Sequence, residues 1–157
     1  MEKGDAIGCA GFDPKKWDKK KVTWKGKLFV KDSVFSIFYI PLNFSGVVKK
    51  NIKKISKANA LPINTMVLSD EKSMFSCNVY ISTKKAIPGA HDVKVSGTFL
   101  TRVFEGPYSN MKKWKKEMEE YVKLEKQTLK HMYYYYATCP KSEGSPEKKY
   151  VVLFAEI

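Results

Sequence analysis

The feature of this sequence that most limits its fold is an order of hydrophobic patterns that runs through the chain twice. In residues 27–40, β-branched and aromatic side chains (Phe29, Val30, Val34, Phe35, Ile37, Phe38, Tyr39, Ile40) read as one long strand or two short ones, stopped by Pro41. Ser45 suits a helix N-cap. Val48, Ile52, Ile55 and Ala58 then recur at helical spacing, with Lys49, Lys50, Lys53, Lys54 and Lys57 on the opposite side. After Pro62, residues 65–69 and 75–83 read as the strands of a hairpin.

A second pass has the same order. Residues 93–105 are strand-like, Gly106-Pro107-Tyr108-Ser109 supplies a turn and cap, and Met111, Trp114, Met118, Tyr121 and Val122 form one helical stripe. Strands at 132–138 and 150–156 flank a loop at 140–149. Phe44-Ser45 and Tyr108-Ser109 anchor the two passes against each other. Connections this short favour antiparallel pairing. The predicted class is α+β: two strand-helix-strand-strand repeats forming a largely antiparallel sheet with two helices on one face. Residues 1–21 are expected to be a lysine-rich arm, and residues 22–157 one domain, with repeats at about 27–83 and 93–157.

Composition narrows the function classes. With 157 residues the chain can bury one good core, and 43% hydrophobic and 13% aromatic residues exclude a disordered chain. The formal net charge is +13, yet Arg102 is the sole arginine among 29 basic residues. A chain nearly without the guanidinium fork is poorly equipped to read bases, so specific nucleic-acid binding is not expected. Non-specific attraction of polyanions to Lys15, Lys16, Lys19, Lys20 and Lys21 stays open as an alternative. Cys9, Cys77 and Cys139 are too few and too irregular for a disulfide framework, and the charged N-terminus has no apolar leader. A cytoplasmic protein, monomeric or weakly dimeric and without membrane attachment, is expected.

The segment from Gly97 through Arg102, Phe104, Glu105, Gly106 and Pro107 to Tyr108, followed by a Trp-bearing helix, a Tyr-rich strand and a final apolar strand, resembles the GyrI-like family. The resemblance covers about residues 27–157. It implies two such repeats and a pocket for small, often aromatic or cationic molecules. In different members that pocket serves drug sensing, gyrase inhibition or hydrolysis of cyclopropane-containing toxins. The family commonly carries an acid at the position of Tyr134.

Two helices cover only one face of a sheet of about eight strands, so the other face is the candidate site. Alternation groups Tyr134 with Tyr136 and Thr138, and Tyr150 with Phe154 and Glu156. With Tyr39 and Trp114 these are the expected ligand-binding residues. Aromatic walls beside one acid suit a flat cation. The first reading is therefore a small-molecule-binding protein. The alternative is a detoxifying hydrolase in which Glu156 or Glu105 activates water. Cys9 and Cys139 form at most half of a zinc site, and His91 and His131 stand at no metal-like spacing from them, so no metal or other cofactor is expected. Cys77 is expected to be a small buried residue.

Overall fold

A computed structural model of the chain describes residues 14–37, 40–41, 43–62, 65–73, 75–137 and 150–157. The chain forms two compact units. The first-repeat unit is Lys25–Ser96, and the second-repeat unit joins the residues up to Trp24 with Gly97–Ile157.

In the first-repeat unit, strand β1 (Lys20–Ile37, from Lys25 onward) pairs antiparallel with the short β2 (Ile40–Pro41) and with β4 (Ser76–Ser82). Strand β3 (Val67–Ser73) closes the hairpin with β4, carrying an irregularity between Glu71 and Ser73. Helix α2 (Phe44–Lys57) lies on one face, where Val48 and Ile55 join Val30, Val67, Ile81 and Ile87 in a buried cluster. The spacing seen in the sequence thus produces the packing: each fully buried aliphatic side chain contributes about 1.5–3 kcal/mol, enough to hold a helix whose exposed side is almost all lysine.

One detail differs from the expectation. The α2 cap is Asn43 rather than Ser45, and the Asn43 side-chain oxygen accepts the Phe35 backbone N–H at 3.0 Å instead of capping the helix. Asn51, 2% exposed, donates from Nδ2 to Asp32 Oδ2 and to the Val47 carbonyl, each at 2.9 Å. Burial raises the Asp32 carboxyl, but hydrogen bonds from Asn51, the Ser33 amide and Lys50 outweigh it and hold the group below its ordinary range.

The second-repeat unit begins with helix α1 (Pro14–Trp17) and the first residues of β1. Strand β1 starts at Lys20, inside the stretch expected to be an arm, because Val22 and Trp24 alternate with exposed Lys21, Thr23 and Lys25. Strands β5 (Asp92–Glu105, from Gly97 onward) and β6 (His131–Tyr136) both pair antiparallel with β7 (Tyr150–Glu156). Helix α3 (Met111–Leu124) comes after a 3-10 turn at Tyr108–Asn110 and buries Trp114, Met118 and Val122 against Leu100, Phe104, Tyr134, Val151, Leu153 and Ala155. The indole of Trp114 stacks on Phe104 at 5.6 Å.

The doubling of the sequence is a doubling of register. Phe29 pairs with Ser82 and Lys31 with Tyr80, as Phe99 pairs with Glu156 and Thr101 with Phe154. Leu68 lies opposite Tyr80 as Tyr133 lies opposite Phe154. These pairings are all antiparallel, each unit carries its long helix on one face, and the chain is α+β. No helix among the described residues is long and apolar enough to cross a membrane.

Candidate functional site

In the second-repeat unit, the face turned away from α3 carries several of the candidate residues. Residues on one face of paired strands share parity. The register therefore places His131, Tyr133 and Tyr135 of β6 beside Glu156, Phe154 and Val152 of β7, and Phe99, Thr101 and Val103 of β5 beside the same residues. Glu105 is paired with Tyr150 at the far end.

The expected grouping of Tyr134 and Tyr136 with Phe154 and Glu156 is corrected by this register. Tyr134 is buried under α3 and Tyr136 packs against the same core, together with Trp114. Tyr133 and Tyr135 take the places assigned to them. Four consecutive tyrosines carry no alternation of their own, and a slip of one residue exchanges the faces. Tyr39, Thr138, Cys9 and Cys139 lie outside the described residues. Cys77 is buried in the first-repeat unit, and burial pushes its thiol up.

The face is an aromatic bed. Phe154 lies 6.1 Å from Phe99 and 6.4 Å from Tyr135, and Phe99 meets Tyr133 edge-on at 6.1 Å. Two indoles rest on it. Trp17 contacts Tyr135 at 5.8 Å and Phe154 at 5.4 Å, and Trp24 contacts Phe99 at 5.0 Å and Phe154 at 5.2 Å. Burial pushes the Tyr135 hydroxyl up to about 12, so it stays a neutral donor at ordinary pH.

The segment bearing Trp17 is tied down by the bed itself. The fully buried Thr101 hydroxyl donates to the Trp17 carbonyl and, at 3.4 Å, to the Lys20 carbonyl. The Val103 amide donates to Asp18 Oδ1 at 3.0 Å. Lys19 makes the intervening bend with φ of 55°, in the left-handed region.

A carboxylate stands at each end. At one end Glu156 is flanked in register by His131 and Phe99, and it lies against Gly97. At the other, a cavity of about 440 Å³ is lined by Pro14, Lys15, Asp18, Val103, Glu105 and Tyr150. Glu105 and Tyr150 were expected from the sequence; Asp18 was not, and Lys15 was expected only as a contact for polyanions. The missed signal was the pair Trp17 and Trp24, large aromatics in a lysine-rich stretch that have to cover something apolar. Arg102 is used structurally, its guanidinium 5.1 Å from the Phe104 ring and 5.5 Å from that of Tyr121. Lys15, Lys16, Lys19, Lys20 and Lys21 are exposed.

Phe99 and Phe154 are fully buried beneath the indoles, so a planar apolar group reaches these rings only in place of an indole, while a positive charge can rest beside Glu105 at the cavity. Several solved structures share the fold. One is SAV2435 bound to tetraphenylphosphonium, at 11% identity over 87% of this chain and 93% of that one, TM-score 0.51. Another is a hydrolase from Listeria innocua, at 11% identity over 88% and 93%, TM-score 0.53. A third is a candidate transcription-regulation protein from Staphylococcus aureus MU50, at 9% identity over 90% and 99%, TM-score 0.52. Such neighbours fit the fold expected from the GyrI-like resemblance, and at these identities the likeness shows the fold alone. Comparison with curated proteins finds no match. The full span of residues 1–157 matches the family described as bacterial hydrolase, and the chain belongs to that family.

Proposed function

We propose that this protein binds a small aromatic cation on the α3-distal face of the second-repeat unit, with the cavity at Glu105 and Tyr150 as the entrance. The observation that carries the reading is the cavity's lining. In a chain with a net charge of +13, it brings the Glu105 carboxylate, beside Tyr150, to the edge of a row of aromatic rings. A ring–cation contact contributes about 0.5–2 kcal/mol, and a carboxylate fixes where the charge rests. The tetraphenylphosphonium held by SAV2435 is an apolar cation of the same chemical class, which supports the choice of ligand.

A second reading is favoured by the family match. Here the Glu105 carboxylate takes a proton from water, the water oxygen attacks an electrophilic carbon of the bound molecule, and the Tyr150 hydroxyl protonates the departing group. Glu156 is the other candidate base. The two readings share one site and differ only in whether the bound molecule is then cleaved.

Calorimetric titration with tetraphenylphosphonium and with neutral triphenylphosphine oxide tests the proposal. The cation binds more tightly, and Glu105→Gln removes most of that preference. Equal binding of the two compounds, or a preference unchanged in Glu105→Gln, would overturn it. Loss of turnover of a strained electrophile in the same variant separates hydrolysis from sequestration.

A further inference from the structure

We propose that the chain carries its own competitor for this site: the Trp17 indole occupies the place of a ligand's aromatic ring, and residues 14–19 lift away when a ligand binds. The inference rests on the reading of the face as a binding site. Three observations carry it.

The first is what Trp17 touches. Its ring contacts Tyr135 and Phe154, the central pair of the bed, at 5.8 and 5.4 Å, and a planar aromatic ligand would make the same contacts. The second is how little holds the segment. Helix α1 is a single turn of four residues with none of them buried, too short to persist by itself. Its attachments include Trp17, hydrogen bonds from the Thr101 hydroxyl and the Val103 amide, and a long ion pair of 4.0 Å between Arg102 Nε and Asp18 Oδ1. The third is position. Pro14, Lys15 and Asp18, on either side of Trp17, form one wall of the cavity, so a molecule entering beside Glu105 and Tyr150 meets this segment first.

Displacement lowers the apparent affinity by the fraction of molecules in which the segment is already lifted. A minor state of a few kcal/mol is populated at roughly 0.1–10%, so freeing the bed tightens binding by roughly tenfold or more. Trp17→Ala removes the competitor. Thr101→Val keeps the indole and loosens its anchor.

The test is titration of 9-aminoacridine, a planar cation, into the whole chain and both variants, with circular dichroism as the check on folding. Both variants are expected to bind more tightly than the parent. Weaker binding by a folded Trp17→Ala would make the indole part of the ligand's wall, and unchanged affinity in both variants would mean that it does not overlap the ligand; either result overturns the inference and leaves the binding reading standing. If Trp17→Ala does not fold, Thr101→Val decides alone. Absence of binding by parent and variants alike would overturn the binding reading itself.

Discussion

The carboxylate of Glu156 rests where a side chain on Gly97 would begin: a Cβ at residue 97 would lie 3.3 Å from Oε2 of Glu156. Gly97 also has φ of 150°, which side-chain-bearing residues rarely adopt. The strand that opens the second repeat thus gives up a side chain where the acid of the last strand needs room. Gly97→Ala is expected to cost about 1–3 kcal/mol, through backbone strain and through displacement of the carboxylate. A urea midpoint equal to that of the parent would show that the acid is not held there by the missing Cβ.

The other face of the same three strands makes a different prediction. Trp114 is 5% exposed and stacked on Phe104 under α3. Trp114→Ala is expected to lower stability by about 3–5 kcal/mol, the ordinary cost of emptying a large aromatic site. Its effect on ligand affinity, measured on the folded fraction, should be small. A large affinity loss with little change in stability would move the site to the helix side.

Tyr135 gives the account a pH signature. Its hydroxyl is raised from 10.0 to about 12 by burial. Below pH 10 the phenol is neutral in folded and unfolded chains alike. Between pH 10 and 12 only the unfolded chain ionises there, so this residue makes stability fall as pH rises through that window, by up to about 3 kcal/mol. Tyr135→Phe should flatten the alkaline limb of the stability profile relative to the parent. Parallel limbs would contradict the burial of the hydroxyl.

In the first-repeat unit the pH dependence has the opposite sign. Asp32 is held below its ordinary 3.8 by Asn51, the Ser33 amide and Lys50, against the opposing effect of burial. Its contribution is present above the ordinary carboxylate range and is lost as acid carries the pH down through the lower folded value. Asn51→Ala should cost about 1–3 kcal/mol at neutral pH by leaving the Asp32 carboxylate without its buried donor. The difference from the parent should shrink toward low pH, which stability curves at pH 7 and pH 3 would show.

Much of this architecture was legible in the residues, and the limits have physical causes. The spacing of Val48, Ile52 and Ile55, and that of Trp114, Met118 and Val122, locates both long helices, because a stripe of period 3.6 has only one way to be buried. The run of Tyr133 to Tyr136 locates a strand but not its facing, since every position is aromatic and neither phase is favoured. Glu105 was legible as a candidate because it sits at a strand end, and Tyr150 because alternation puts it on the face of Phe154 and Glu156. Their partner Asp18 was not: it reaches the cavity only because Thr101 and Val103 draw a distant part of the chain onto the bed. The alternation of Val22 and Trp24 lay hidden among lysines that point outward from the same strand.

The central claim is that a ligand sits on the face turned away from α3, and methyl resonances read it most directly. Val103 and Val152 are paired on that face, while Val122 of α3 and Val151 of β7 lie in the core beneath the helix. Titration of valine-methyl-labelled protein with tetraphenylphosphonium is expected to move Val103 and Val152 through the ring currents of the bound phenyl groups, leaving Val122 and Val151 nearly unmoved. Shifts confined to Val122 and Val151, or to valines of the first-repeat unit, would contradict the account.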